Sequence, residues 1–519
     1  MSHHLTKKSI LKKTVLVSSL TLLSRILGVF REFLMARFLG VGAISDAFVA
    51  SFKLPNFFRH IFAEGALGAS FVPAIVKTVK EGNREEANGL MTISFLFFEG
   101  IVLLMYVFVI LHTNWVLLLL APGFSADQIA YAIPFTRILF SFLFFISSSA
   151  LLAGALNSVN HFFVPAFGTP LWNMFFIATL IICLAYKLPA TYMCLGIIIG
   201  AFAFFLMHLI TFFKYNFTFG SITPGARAAF KSVLSKFLPC LFGVSIVELN
   251  MFISGSIASF LPKGSMTLLY YGGRFMNIPL GMFAVALASV LLSHFSRLVL
   301  YAPRRLSFYL LEVAKLVTWA ILPAALFLMF VSHELFIFLL GNKVTPEQSA
   351  QGAWILILYC TGLLFLCLNK ILLSMFYALK DTWSTTLAAG LCAAVNISLD
   401  ILSLFYFGAY GIAMSNTISS LCMSILALIL LRKRHHITFF LKRYLRFLWR
   451  YLLNLIIAIA LFLLGFMLIR TIFVWWGMPM CVLHGIGYWL VMSMLVTGTV
   501  LFMFFTRRLF GIEVYFLKK

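Results

Sequence analysis

The sequence predicts an all-α protein that crosses a membrane many times, and three observations carry that expectation. Of its 519 residues, 62% are hydrophobic and only 10% charged, whereas a soluble globular protein has about 45–50% and about 25%. The apolar residues gather into about fourteen stretches, each near the roughly 20 residues that a bilayer core demands of a helix. The basic residues sit in alternate loops between those stretches, as they do in proteins whose inward-facing loops are enriched in Lys and Arg.

The stretches fall near 15–40, 44–76, 88–112, 129–157, 162–186, 190–213, 232–260, 266–297, 307–332, 350–379, 384–407, 410–431, 447–470 and 483–506. The opening MSHHLTKKSILKKTVLVSSL is basic and then apolar, like a secretory leader. The apolar run continues with no small-residue cleavage site, so it reads as an uncleaved first helix. With the N-terminus inside, the inner loops hold Lys77, Lys80 and Arg84; Lys214, Arg227 and Lys231; Arg304 and Arg305; Lys380; and the run from Arg432 to Arg446. Arg507, Arg508, Lys518 and Lys519 follow at the C-terminus, while the outer loops offer little beyond Lys187, Lys263 and Lys343. An even helix count with both termini cytoplasmic fits this pattern. The run between the twelfth and thirteenth stretches reads as a topology determinant near anionic lipid. A net charge of +24 raises nucleic acid as a partner, but its spread through short loops argues against it.

Fifteen Pro and 33 Gly suit kinked spanning helices. The 59 Phe read as lipid-facing bulk. Eight Cys are scattered singly, Cys481 among them, and lack the close pairs of a zinc or redox site. Nucleophile elbow, HExxH, Walker loop and dinucleotide fingerprint are all missing from the sequence. A transporter without an ATPase of its own, and without a cofactor, is therefore expected.

The segment from Ser24 to Pro73 is apolar enough for two spans, yet it carries Arg25, Arg31, Arg37, Asp46, Lys53, Arg59 and Glu64. A charge at the bilayer centre costs about 3 kcal/mol or more, so such residues face a bundle interior or a wet cavity. The excess of cations implies a polar cavity suited to an anionic cargo. Arginine binds phosphate oxygens bidentately and stays charged in any surroundings. Pairing of Asp46 with Lys53, and of Arg59 with Glu64, is the structural alternative. Arg274, in YYGGRFMNIPLG, extends the set into the second half, with Glu248 as its alternative partner. Asn396 and Asp400 lie one helical turn apart on one face of an apolar stretch, with Asn416 and Glu248 as neighbours. Such oxygen groups suit a small hard cation or a proton relay, or else an Asn–Asp bond that fixes packing.

A faint repeat runs through the chain. Ala155-Leu156 and Asn173 are mirrored by Ala378-Leu379 and Asn396 at a constant offset of 223 residues, and Lys53-Leu-Pro loosely parallels Arg274 with Pro279. Two six-helix lobes around a central cavity, plus two C-terminal helices, would explain it. The corresponding partition is 1–220, 221–435 and 436–519.

The blocks SRILGVFREFLMARFLG, SDAFVASFKLPNFFRHIFAEGALGASFVP, GALNSVNHFFVPAFGTPLWN, YYGGRFMNIPLGMFAVALASVLL, FYALKDTWSTT and GAYGIAMSNTISS closely resemble the MurJ (MviN-type) lipid II flippases of bacteria, in the multidrug and oligosaccharidyl-lipid exporter superfamily. They cover the first twelve stretches; the last two carry no such motif. The resemblance implies a V-shaped pair of lobes in the bacterial inner membrane, working by alternating access. The cargo it implies is the undecaprenyl-diphosphate-linked disaccharide-pentapeptide, moved from inner to outer leaflet for peptidoglycan synthesis. It places the family's cavity arginines on Arg25, Arg31, Arg59 and Arg274, and their acidic partners on Asp46 and Glu64. Thr267 stands where the family usually has Ser, keeping the hydroxyl. Some relatives hold sodium between three helices; Asn396 and Asp400 fit that spacing, and Asn416 and Glu248 fit it less closely, so Na+ or H+ is the coupling cation expected. The last two helices would form a groove for the lipid tail. A monomer among membrane lipids is expected, with cell-wall synthesis enzymes as further partners. Competing readings are an exporter of another polyprenyl-linked oligosaccharide, a drug antiporter, which would want an acidic cavity, and a non-transporting scaffold, for which the loops are short.

Overall fold

The computed structural model describes residues 7–517 apart from 65, 82 and 476–485. Cys481, Lys518, Lys519 and the side chain of Glu64 lie outside the described residues. The chain divides into two compact units, Met1–Thr267 and Leu268–Lys519, and among the described residues it is helix and turn with no strand.

In the first unit α1 (Lys7–Leu39) and α2 (Ala43–Arg59) lead into a π-helical turn, His60–Glu64, and α3 (Ala66–Lys80). There follow α4 (Arg84–Leu111), α5 (Thr113–Leu120), α6 (Ala126–Ser158), α7 (Phe163–Tyr186), α8 (Thr191–Lys214) and α9 (Pro224–Ile257). Helix α10 (Ser265–Pro279) starts at the end of this unit and passes into the second, where a further π-helical turn, Leu280–Val285, joins it to α11 (Ala286–Tyr301). The second unit continues with α12 (Leu306–Leu340), α13 (Pro346–Ala378), α14 (Thr382–Tyr406), α15 (Gly408–His435), α16 (Leu441–Trp475) and α17 (Ile486–Thr506).

Among the described residues, eleven helical segments are long and apolar enough to cross a membrane, α10 and α11 counting as one. Adding the charge-bearing α1, α2 with α3, and α9 gives every expected stretch a helical counterpart. The stretch 44–76 is broken rather than continuous. Its interruption is the His60–Glu64 turn, which follows Pro55; proline removes an i→i−4 bond and π-bulges shift the helical register. Hydroxyl and carboxylate caps fix the helix starts. Thr223 accepts from Ala226 N ahead of Pro224, and Thr345 accepts from Gln348 N ahead of Pro346, so orphan amides are met by side chains.

Helix α6 is the spine of the first unit, burying Phe135, Leu139, Phe140, Phe142 and Leu143 against α2, α3, α4 and α8. Hydroxyls stitch it to α2: Thr136 donates to Ser51 Oγ at 2.9 Å and Ser51 to the Ala132 carbonyl at 3.2 Å. Helices α7 and α8 close on each other through small residues, since a Cβ at Gly168 would overlap Phe204 and one at Gly196 would overlap Thr179. Small residues at the seam are how membrane helices approach closely. The phenylalanines are not simply lipid-facing bulk. Phe57, Phe58, Phe62, Phe98, Phe140, Phe237 and Phe252 form one chain of ring contacts about the first π turn, with centroids 5.1–6.4 Å apart, the range of favourable aromatic pairs.

In the second unit α13, α14 and α15 pack together. Asn369 on α13 donates to the Ser420 carbonyl at 2.9 Å and accepts from Ser424 at 2.8 Å. Helices α16 and α17 are tied to one another by Asn454 donating to Thr506 Oγ1 at 2.8 Å, and α16 to α12 by Tyr451 donating to the Trp319 carbonyl at 2.9 Å. The C-terminal segment returns onto α12, where the Glu312 carboxylate takes the Tyr515 N–H at 2.8 Å and the Lys315 ammonium at 2.6 Å.

Candidate functional site

The charged residues of α1 and α2 are held in different ways. Arg31 is half-buried on α1. Its guanidinium donates to Asn173 Oδ1 at 2.8 Å and Glu32 Oε1 at 2.6 Å, and lies over the rings of Trp172 and Phe176 at 5.0 and 5.5 Å. Asn173 in turn donates to the Ser24 carbonyl and hydroxyl at 3.3 Å. Arg31 is thus oriented by a planar stack and a fork, the arrangement in which arginine differs most from lysine. Arg25 and Arg37 are exposed on the same helix, with Arg37 over the Phe33 ring at 4.5 Å.

Asp46 is a buried clamp. Its Oδ1 accepts from Thr267 N at 2.9 Å and Thr267 Oγ1 at 2.6 Å, while Oδ2 accepts from Gly264 N at 2.6 Å and Gln128 Nε2 at 3.4 Å. Thr267 Oγ1 also stands 3.0 Å from Ser45 Oγ. The two amides belong to the start of α10, whose N-terminal N–H groups have no helical acceptor and whose dipole favours a carboxylate. The hydroxyl at 267 therefore binds Asp46 itself.

Lys53 does not share a hydrogen bond with Asp46. Its Nζ is buried with no hydrogen-bond partner and rests against Gly255 of α9, where a Cβ would overlap the ammonium. Arg59 donates from Nε to Asn56 Oδ1 at 3.0 Å, and its Nη2 lies 3.1 Å from His60 Nε2. This places Arg59 at the start of the first π turn. Glu64 belongs to that turn by its backbone, and its side chain is outside the described residues.

In the second unit Arg274 is exposed on α10, its guanidinium 4.8 Å from the Tyr270 ring centroid. On α14, Asn396 Nδ2 donates to Asp400 Oδ2 at 2.7 Å, both residues being buried, with Tyr359 of α13 within electrostatic reach of Asp400. Asn416 is half-buried on α15, and Glu248 lies half-buried on α9 in the first unit. Among the described residues no three His, Cys, Asp or Glu side chains gather as metal ligands. Outside the spans, Asp381 caps α14. Burial works to raise its carboxyl, but the hydrogen bonds from Ser384 and His435 outweigh it and hold it at about 2.

Sequence reasoning passed over three participants. Glu32, next to Arg31 in the chain, accepts from its guanidinium at 2.6 Å. Glu99, buried in FLFFEGIVLLM on α4, accepts from Ser147 at 2.7 Å; a lone carboxylate in an apolar span carried the same signal as Asp46. Gly255 had no signal in the sequence, because only its neighbour in space explains it.

Two helical units whose apolar spans carry cations and hydrogen-bonded carboxylates define a polytopic membrane protein. The profile of the family described as "Lipid II flippase MurJ" matches residues 35–485, and the chain belongs to that family. It is 30% identical over 434 residues to the probable lipid II flippase MurJ of Vibrio cholerae, covering 80% of this chain and 81% of that protein. It is 30% identical over 428 residues to the lipid II flippase MurJ of Burkholderia cenocepacia, covering 80% and 83%. The solved "Lipid II flippase MurJ, inward closed conformation" superposes with a TM-score of 0.78 at 25% identity, over 95% of this chain and 99% of that one. An inward-facing multidrug resistance MATE family transporter of the MOP superfamily shares the fold, with a TM-score of 0.70 at 14% identity over 81% and 97%.

Proposed function

We propose that this chain carries lipid II, the undecaprenyl-diphosphate-linked peptidoglycan precursor, from the inner to the outer leaflet of the bacterial inner membrane by alternating access. The buried Lys53 ammonium, with no hydrogen-bond partner of its own, is the observation that carries this reading. An ammonium that no hydrogen bond satisfies is costly in a low-dielectric interior; Asp46 acts on it only through space, and a diphosphate passing through the site supplies a direct anionic partner. Arg25, Arg31, Arg59 and Arg274 offer further phosphate ligands, and Asp46 with Thr267 holds the start of α10 in place. A drug antiporter for cationic compounds, which the MATE fold would allow, is disfavoured by this excess of cations.

Membrane potential, inside negative, or an ion gradient drives the cycle. A coupled cation moving inward gains about 2.3 kcal/mol per charge per 100 mV. Asn396 and Asp400, with Asn416 and Glu248 as lesser candidates, are the oxygen groups for Na+ or H+. The protein works as a monomer with both termini cytoplasmic, and cell-wall synthesis enzymes receive its product.

The test replaces the resident lipid II flippase of a bacterium with this chain and reads growth together with outer-leaflet lipid II, using a toxin that cleaves it only from outside. Restored cleavage, lost in Arg274→Ala with folded protein still in the membrane, is the expected result. Folded protein without restored cleavage overturns the lipid II reading in favour of another polyprenyl-linked cargo, and full transport by Arg274→Ala overturns the assignment of that arginine.

A further inference from the structure

The basic run from Arg432 to Arg446 has no part in the transport site, and its side chains divide into two classes. Some are spent within the protein. Arg434 donates to Ser384 Oγ at 3.0 Å and His435 pairs with Asp381 at 2.7 Å; Arg443 lies over Phe440 at 5.0 Å; Arg450, just beyond the run, reaches the Gly511 carbonyl at 3.3 Å. Arg432, Lys433, Lys442 and Arg446 are exposed and form no ion pair among the described residues. The Thr438 N–H donates to Ser307 Oγ at 3.0 Å, which fixes this loop beside the exposed pair Arg304 and Arg305.

Helix α16 shows where the bilayer surface falls. It has 35 residues, about 52 Å at 1.5 Å per residue, against about 30 Å of hydrocarbon. The uncharged segment between Arg450 and Arg470 matches that core by itself, so the turns from Leu441 to Arg450 stand at headgroup level. Along them Leu441, Leu445 and Trp449 are all exposed at four-residue spacing, Trp449 at 67%, and the stripe continues into Leu453 and Ile456 on the lipid-facing side. Lys442 and Arg446 form the neighbouring stripe at the same spacing. An apolar stripe reaching the helix start, flanked by unpaired cations and a tryptophan, is complementary to a lipid with an anionic head.

We propose that this end of the second unit is a binding face for anionic phospholipid, with Arg432, Lys433, Lys442 and Arg446 on the lipid phosphate and the Leu441–Leu445–Trp449 stripe along an acyl chain. The recognised chemistry is lipid-borne phosphate, which the diphosphate cargo also carries; the face is assigned to the bulk phospholipid of its leaflet.

The test reconstitutes the full chain in phosphatidylcholine bilayers and measures the motionally restricted fraction of spin-labelled phosphatidylglycerol against spin-labelled phosphatidylcholine. Selective retention of phosphatidylglycerol is expected. Lys442→Gln with Arg446→Gln should lower it about fivefold per charge, the exchange Lys442→Arg with Arg446→Lys should keep it, and Lys187→Gln should leave it unchanged. Selectivity of the unmutated protein should also fade as salt shortens the Debye length from about 10 to about 3 Å, a readout that needs no variant to fold. Equal retention of the two lipids, salt-insensitive selectivity, or selectivity surviving substitution of all four cations by Gln overturns the proposal. Retention of undecaprenyl diphosphate but not of phosphatidylglycerol overturns it in favour of the cargo.

Discussion

The two π-turned segments, α2 through α3 in the first unit and α10 through α11 in the second, use one local device for different ends. Each places a basic residue ahead of a proline and a π turn, Lys53 before Pro55 and His60–Glu64, Arg274 before Pro279 and Leu280–Val285. In the first, the ammonium is enclosed at Gly255 and the turn is wrapped in phenylalanine rings. In the second, the guanidinium is exposed over Tyr270, and Met282, Phe283 and Val285 of the turn are exposed as well. A π turn leaves helical groups open to rearrangement, so the difference lies in what surrounds it. The first segment stores a charge inside the protein, and the second presents one.

The sharpest break of that comparison is removal of the stored charge. Lys53→Met should lower outer-leaflet lipid II at least tenfold in the cleavage assay while leaving thermal stability unchanged or raised, since a buried unpartnered polar group costs about 1–3 kcal/mol. Wild-type transport would show that the enclosed cation is idle. Next in size, Asp46→Ala strips three contacts from the start of α10 and one from Gln128 and should cost about 1–3 kcal/mol for each buried donor left unsatisfied, read as a lowered unfolding midpoint in detergent; Thr267→Val should cost less, and Thr267→Ser least. Gly255→Ala should cost under about 1 kcal/mol, because the added methyl meets only the far end of the flexible Lys53 side chain, and the cost should vanish in a Lys53→Ala background, where the notch is empty. A cost that persists there places the clash elsewhere.

The smallest effect concerns Asp381, the exposed-end counterpart of Asp46. Its carboxyl is held at about 2 against an ordinary 3.8, so its contribution is complete above about pH 4 and is lost as pH falls through 2. Asp381→Asn should remove that contribution at neutral pH and flatten stability over the window, so that variant and wild type converge as pH falls through 2, as pH-dependent unfolding would reveal.

Much of this was legible in the sequence because bilayer physics is severe. Composition alone forces a membrane protein, and interior charges mark α1, α2 and α10 whatever the tertiary arrangement. The two π turns start 220 residues apart, near but not at the repeat offset of 223 residues. The break within 44–76 was less readable, since Pro55 sits several residues before the turn it precedes. The roles of the acidic residues were not readable at all. Asp46 and Lys53 are near enough in sequence to suggest an ion pair, yet the carboxylate turns to backbone amides at 264 and 267. Many phenylalanines are exposed, as lipid-facing bulk would be, whereas those about the first π turn pack on one another, and composition does not say which face of a helix a ring occupies.

Sequence by itself determined the class of protein and the cationic excess of its first apolar stretches, because solvation by lipid penalises polar groups residue by residue. The tertiary structure alone decided which charges are satisfied. Arg31 gains Glu32 and Asn173, Asp46 gains the start of α10, and Lys53 gains only a glycine notch. Hydrogen bonds at 3 Å depend on where distant segments meet, and no periodicity in the chain records that.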